Sequence, residues 1–225
     1  MTNTTGRHEL KYTINQTDAI QLRARLRRMA EPDEHATGDT GYRVRSLYFD
    51  NYQDKALREK IDGINEREKF RLRFYNGDPA WIRLEKKSKK NGISYKRGAA
   101  ITAEECRRLL LGDLAALWER GDPLLLELYA KMNYQLLRPR SIVDYRREAF
   151  IYSMGNVRVT LDTDIRKSGD VRAFLTAGSL PVSLGDARIL EVKYDSYLPE
   201  LIRGLVALSG RERTAFSKYA ATRMI

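Results

Sequence analysis

Residues 69 to 75, Lys-Phe-Arg-Leu-Arg-Phe-Tyr, alternate a cation with an apolar side chain, and this alternation restricts what the chain can fold into. A period of two puts Lys69, Arg71 and Arg73 on one face of a β-strand and Phe70, Leu72 and Phe74 on the other. The same division recurs along the chain. Its apolar parity holds Leu10 and Tyr12, then Ile82 and Leu84, then Val157, Val159 and Leu161, then Leu190 and Val192. Its charged parity holds Glu9 and Lys11, then Arg83, Glu85 and Lys87, then Arg158 and Asp162, then Glu191 and Lys193. Two architectures satisfy such strands. An open sheet packs its apolar face on helices and leaves the charged face in water; a sheet that curls shut keeps the charges inside and the helices outside. Alternation alone leaves both open.

The remaining elements follow from punctuation. A strand over 9–14 leads to a helix capped by Thr17 or Asp18, with Leu22, Leu26 and Met29 as its stripe and Glu31-Pro32 at its end. A polar loop through Gly38 and Gly41 leads to a strand over 43–49. Asn76-Gly77-Asp78-Pro79 turns the 69–75 strand into a hairpin with 81–87, and a lysine-rich turn at Gly92 returns the chain through 94–97. Thr102 with Glu105 has the spacing of a capping box, and Gly112 stops that helix. Asp122-Pro123 opens another helix bearing Leu125, Leu128, Tyr129, Met132 and Leu136, which Pro139 ends. Strands over 143–151 and 157–165 flank the turn 153–156. A further strand covers 188–194, and a last helix from Pro199 carries Leu201, Leu205 and Leu208 up to Gly210. No repeat or low-complexity linker divides the chain, so residues 1–225 read as a single domain.

The chain carries 41 Lys plus Arg against 30 Asp plus Glu, a net charge of +11, which admits either a polyanionic partner or basic side chains merely scattered over the surface. One cysteine, Cys106, excludes a disulfide framework and a cysteine zinc cluster, and its amphipathic helix makes it a buried small hydrophobe. Two histidines leave nothing for a histidine metal site or a Ser-His-Asp triad. Neither a phosphate-binding P-loop nor a Gly-x-Gly-x-x-Gly turn is present. No apolar run has the length of a membrane span, and the polar N-terminus is unlike a signal peptide, so a cytoplasmic protein is expected. Basic strands with interleaved aromatics raise RNA binding. Phe70 and Phe74 lie opposite the arginines, however, whereas stacking needs rings on the binding face, so no nucleic acid is expected.

The row Lys69, Arg71 and Arg73 contains no acid, and like charges on one sheet face repel unless an anion or facing carboxylates offset them. The acids are placed selectively: Glu9, Glu85 and Glu191 each stand two residues before a lysine. Carboxylate and ammonium on one face suit a polyphosphate held together with a hard divalent cation. A solvated sheet face is the competing reading.

Eight short motifs occur in order: Arg7-x-Glu9-x-Lys11-Tyr12, Ser46-Leu47-Tyr48-Phe49-Asp50, Lys69-x-Arg71-x-Arg73, Leu84-Glu85-x-Lys87, Tyr145-x-Arg147-x-Ala149-Phe150, Arg158-x-Thr160-x-Asp162, Leu190-Glu191-x-Lys193 and Phe216-Ser217-Lys218-Tyr219. Together they resemble the VTC domain, the polyphosphate polymerase domain of the vacuolar transporter chaperone complex, within the triphosphate tunnel metalloenzymes or CYTH superfamily. The resemblance implies an α+β fold: a closed antiparallel β-barrel, the triphosphate tunnel, with a charged interior and helices packed outside. It implies that Lys11, Lys60, Lys69, Arg71, Arg73, Lys87, Lys96, Arg147, Arg158, Lys193 and Lys218 bind the triphosphate of ATP or a polyphosphate. Of these, Lys11, Lys69, Arg71, Arg73, Arg147, Arg158 and Lys218 are the catalytic candidates. The metal-binding glutamate maps to Glu191, with Glu9, Glu85 and Asp162 as further candidates for Mn²⁺ or Mg²⁺.

Three features depart from the family pattern. Arg7 replaces the first glutamate of the hydrolase branch and points to polymerisation. Ala215 stands where some polymerases have the first lysine of Lys-x-x-Lys, leaving Lys218, with Arg213 nearby. The regulatory SPX domain and the membrane segments of the eukaryotic complex have no counterpart, as in a bare catalytic domain of the prokaryotic kind. The implied activity is polyphosphate synthesis from ATP. The alternatives are an inorganic or nucleoside triphosphatase and a non-enzymatic polyphosphate- or nucleotide-binding module. The sequence leaves open whether a membrane protein receives the product. Tyr48 and Asp50 are read as supports of the fold.

Overall fold

The computed structural model describes residues 7–33, 41–208 and 210–223. In chain order the elements are β1 (His8–Ile14), α1 (Gln16–Met29), β2 (Glu31–Pro32), β3 (Tyr42–Asp50), α2 (Lys55–Ile61), β4 (Arg67–Tyr75), β5 (Asp78–Lys90), β6 (Ile93–Ile101), α3 (Ala103–Leu110), α4 (Ala115–Trp118), α5 (Pro123–Tyr134), β7 (Arg138–Tyr152), β8 (Val157–Ser168), β9 (Val182–Ser183), β10 (Arg188–Tyr194), α6 (Glu200–Val206) and α7 (Lys218–Arg223). One antiparallel sheet orders its main strands β1-β10-β8-β7-β3-β4-β5-β6, with β2 on β7 and β9 on β8.

The two-residue period decides how this sheet packs. Phe70, Leu72, Phe74, Ile82 and Leu84 point outward and are covered by α3, α4 and α5 around Cys106, Leu117, Leu125 and Leu128. Val157, Val159, Leu161, Leu190 and Val192 likewise point outward, beneath α1 and α6. The charged parity lines the concave side, so of the two architectures the curled one is observed.

The expected closed barrel is corrected. The eight main strands curl through 204° as a half-barrel with helices outside, and the sheet does not close. Its edge strands meet at one isolated bridge, Arg7 to Ser94. Beyond it, the free edge of β1 is taken by the C-terminal segment: Tyr12 bridges Arg213, and the Thr214 amide donates to the Lys11 carbonyl at 2.8 Å. That part of β1 therefore has no free backbone groups left for β6 to pair with.

Several local expectations change. The cap of α1 is Asn15, which forms a reciprocal capping box with Asp18; Ala19, Leu22 and Leu26 are buried, but Met29 is exposed. Leu136 lies past the end of α5 in a left-handed turn with φ 54°, and Pro139 belongs to β7 at a register shift opposite Phe49. On α6 the inward residues are Ile202 and Val206, whereas Leu201 is exposed. The final helix is α7. The loop through Gly38 lies outside the described residues. Both expected caps at Thr102 and Asp122 are present, as is the 76–77 turn, whose two residues have φ of 53° and 73°.

Two short helices, α2 and α7, are held by one carboxylate. Asp50, fully buried at the end of β3, accepts from the amides of Ala56 and Leu57 at 2.8 and 3.1 Å and from the Tyr219 hydroxyl at 2.6 Å. Burial and the hydrogen bond to Asp50 push the Tyr219 phenol up, which keeps it a donor. Asp50 also accepts from the Asn51 amide at 2.9 Å, so Asp50→Ala removes four hydrogen bonds to a charged acceptor and is expected to cost about 2–4 kcal/mol, since such bonds contribute more than neutral ones. Urea unfolding with an unchanged m-value is the check, and a midpoint equal to wild type would refute the role.

Candidate functional site

The concave face is built by register. On β4 and β5, Lys69 stands opposite Lys87, Arg71 opposite Glu85 and Arg73 opposite Arg83. On β5 and β6, Lys87 faces Lys96 and Glu85 faces Gly98. On the other wall, Lys11 faces Glu191 and Glu9 faces Lys193, and Glu191 and Lys193 face Thr160 and Arg158. Arg147 of β7 faces Asp162 of β8. Lys218 enters from the start of α7, and Lys60 lies on α2. Thus ten of the eleven expected basic residues line one trough, and Lys60 stands at its end.

Each carboxylate in the trough is shared. Glu9 meets Lys11 at 2.5 Å and Lys87 at 2.7 Å. Glu191 meets Lys193 at 2.6 Å and Lys11 at 3.6 Å. Asp162 is gripped by Arg147 through two bonds of 2.7 Å and also meets Lys218. Glu85 meets Arg71 at 2.6 Å, Lys96, and Arg73 at 3.9 Å. Arg158, on the same face opposite Lys193, pairs with Asp33 at 2.6 Å instead of with these four acids.

Burial alone would favour the neutral form of each acid. Burial and Glu191 do push Glu9 up, but Lys11, Lys87 and Lys193 outweigh them and hold it at about 2. Arg147 and Lys218 likewise overcome burial to hold Asp162 at about 2. Glu85 and Glu191 lie well below the carboxylate range for the same reason. The four acids are ionised, yet they leave a surplus of positive charge.

Tyrosine hydroxyls fix the arginines, a feature the sequence reading missed. Arg71 donates to Tyr48 at 3.2 Å, Arg73 to Tyr145 at 2.9 Å and to Ser46 at 3.0 Å, and Arg158 to Tyr42 at 2.9 Å. Tyr48 therefore belongs to the trough, while Asp50 supports the fold as expected. Alternation in β3 is the signal that would have shown this, because Tyr42, Ser46 and Tyr48 share a parity. These rings are buried and offer no stacking surface. Arg213, the nearby cation beside Ala215, bonds the Glu9 carbonyl at 3.2 Å. Arg7 pairs with Asp195 at 2.9 Å.

Among the described residues no group of three His, Cys, Asp or Glu side chains forms a metal cage. Glu9 and Glu191 do flank the single ammonium of Lys11, and Glu85 lies on the opposite wall. The buried Thr160 hydroxyl, at the strand position facing Glu191, has no hydrogen-bond partner among the described residues. Two carboxylates and a hydroxyl fit a hard cation such as Mn²⁺ or Mg²⁺ that completes its shell with water and phosphate oxygens.

The match to known families follows this geometry. Residues 6–225 match the model of the VTC domain. The chain belongs to the VTC domain family. Among solved structures it is similar to a putative adenylate cyclase from Bacillus halodurans, with a TM-score of 0.52 and 15% identity over 85% of this chain and 83% of that one. It is also similar to the PH1819 protein of Pyrococcus horikoshii, with a TM-score of 0.44 and 14% identity over 89% and 84% of the two chains. No curated protein matches it significantly. VTC membership makes the fold one of triphosphate-tunnel type and the chain one of a family that acts on triphosphates by phosphoryl transfer and is generally dependent on a divalent metal. No helix among the described residues is long and apolar enough to cross a membrane.

Lys69, deep in the trough, forms no ion pair with an acid among the described residues. Burial lowers the Lys69 ammonium from 10.5; Tyr48 partly opposes this, and Lys87, Arg71 and Lys11 lower it further, to about 7. Burial raises the facing Tyr48 phenol, but Arg71, Lys69 and Arg73 bring it down to about 7. The charged Lys69 therefore costs stability in full below pH 7, and the cost fades as pH rises from 7 towards 10.5. A bound polyanion reverses both shifts. Tripolyphosphate binding near pH 8 is expected to take up protons and to weaken as pH rises above 7. Calorimetry in two buffers of different ionisation heat reads the uptake, which Lys69→Gln should diminish; identical uptake in that variant would remove Lys69 from the site.

Proposed function

We propose that this VTC domain synthesises polyphosphate from ATP by metal-dependent phosphoryl transfer in the trough. The observation that carries this reading is the shared-carboxylate arrangement. Four acids hold Lys11, Arg71, Lys87, Lys96, Arg147, Lys193 and Lys218 in place, while the face remains cationic along the length of the strands. A chain of phosphates supplies the missing negative charge.

Phosphoryl transfer asks a protein mainly to position the reacting groups and to offset charge on phosphate oxygens. Arg71 and Arg73, held by Tyr48 and Tyr145, present guanidinium forks to the phosphates with little reorganisation. Arg147 and Lys218 do the same from the other wall, and Lys11, Lys69, Lys87, Lys96, Arg158 and Lys193 bind along the chain. Glu191 and Glu9 are the residues that would hold Mn²⁺ or Mg²⁺, which when bound neutralises phosphate oxygens. A phosphate acceptor needs no nucleophilic side chain, and the buried Cys106 thiol, pushed up to about 12 by burial, supplies none.

The test is incubation with ATP and Mn²⁺. Long phosphate chains support synthesis. Orthophosphate without chains would instead make the protein a triphosphatase, and binding without turnover would make it a binding module. Arg71→Ala and Glu191→Ala are each expected to lower turnover by about 10²-fold or more, the scale of losing one preorganised electrostatic contact. Circular dichroism would show the fold retained. Wild-type turnover in the Glu191 variant would refute its assignment.

A further inference from the structure

The hairpin β4–β5 and its neighbour β6 sort charge by face. On the convex parity every cation has an acid: Lys86 meets Glu68 at 2.7 Å and Glu127, Lys90 meets Glu66 at 3.6 Å, and Arg97 meets Glu127 at 2.7 Å. On the concave parity like charges stand directly opposite one another: Arg67 faces Lys89, Lys69 faces Lys87, and Lys87 faces Lys96. Cross-strand pairs of like charge are destabilising unless something negative lies over them. Glu85 offsets the charge further along the trough, and Glu9 reaches Lys87. At the outermost pair nothing does. Among the described residues neither Arg67 nor Lys89 forms an ion pair; the Arg67 guanidinium donates only to the Ile64 carbonyl.

A third cation stands over the same end. Lys60 is on α2, which packs against β4, and its ammonium is lowered by burial and then by Arg67, Lys11 and Lys89, so these three cations act on it. Arg67 lies four residues from Arg71, roughly 13 Å along a strand, and the whole row to Arg73 spans roughly 20 Å. That row is longer than a triphosphate.

We propose that Arg67, Lys89 and Lys60 form a cationic collar at one mouth of the trough, which binds the units of a linear inorganic polyphosphate that extend beyond those held inside. The collar makes affinity depend on chain length. It rests on the reading that the trough binds phosphate chains. Linear polyphosphate fits better than single-stranded RNA, because Phe70 and Tyr95, the rings nearest in these strands, have the parity opposite to the collar and no base could stack there.

The test compares two probes, tripolyphosphate and linear polyphosphate of several tens of units, by calorimetry over a salt series. The proteins are wild type, the Arg67→Ala/Lys89→Ala double variant and the milder Lys89→Gln. Wild type should bind the long chain more tightly, with a steeper salt dependence. The double variant should lose about ten-fold or more for the long chain, with a shallower salt slope, because fewer phosphates are neutralised. Its tripolyphosphate affinity should stay within about two-fold, which also reports that the fold is intact. Lys89→Gln should show a smaller loss of the same selectivity and serves if the double variant does not fold. Equal losses for both probes, or no loss for the long chain, would overturn the collar while leaving the trough reading standing. Failure of wild type to bind either probe would overturn the trough reading itself. A single-stranded RNA oligomer bound more tightly than polyphosphate, and weakened by the same variants, would also overturn the proposal.

Discussion

On the concave face Glu9, Glu191 and Asp162 each serve two cations and Glu85 three, and the rest of the molecule is arranged around that ratio. A buried ammonium or guanidinium without a partner is costly, so a face lined only with lysine and arginine would resist curling. A face with one acid for every base would curl readily but would be neutral, with little attraction for an anion. Lys11 held between Glu9 and Glu191, and Glu85 held among Arg71, Arg73 and Lys96, lie between these limits. The acids supply enough attraction to set side-chain positions and leave the excess of charge that a polyanion would satisfy. Fold and ligand class thus have the same origin.

Turning the charges inward forces the apolar parity outward, which explains why a β-trough carries so many helices. Phe70, Leu72 and Phe74 are buried only because α3 to α5 lie over them, and Val157, Val159 and Leu161 only because α1 and α6 do. The same logic gives the C-terminal segment its place. By pairing with β1 through Thr214 and Lys11, it stops the sheet from closing and carries Lys218 across to Asp162. Tyr219, stacked on Tyr48 with centroids 5.1 Å apart, then seats α7 against the trough floor.

Much of this was legible from parity. Wherever a strand alternated cleanly, as at Lys69 to Phe74 or Leu190 to Lys193, both its existence and its charged face followed from a period of two. Helices announced by caps, at Thr102 and Asp122, were also legible. What escaped depended on distant partners. Helices α2 and α7 are too short to show a stripe and are held by Asp50, which is remote from α7 in sequence. Met29 and Leu201 looked like core residues, because helical spacing does not say which side of a helix meets the sheet. Closure could not be read at all, since it depends on whether β6 or residue 214 claims the edge of β1. The tyrosine anchors of Arg71 and Arg73 lie on β3 and β7, so only the register of the sheet brings them together.

The division of labour between arginine and lysine bears on the proposed reaction. Arg71, Arg73 and Arg158 have donors tied to tyrosine hydroxyls, and Arg147 is clamped on Asp162, so their planes are fixed before any ligand arrives. Fixed forks suit the phosphates between which a bond is made or broken, where a small misplacement is expensive. Lys60, Lys87, Lys89 and Lys96 are point charges on flexible stems and recognise a phosphate without demanding one orientation. A polymerase that adds one unit per cycle must hold its reacting phosphates still and let the remainder of the chain advance. For the proposed synthesis, arginines fixed in the interior and flexible lysines towards the mouth would meet both demands in one continuous trough.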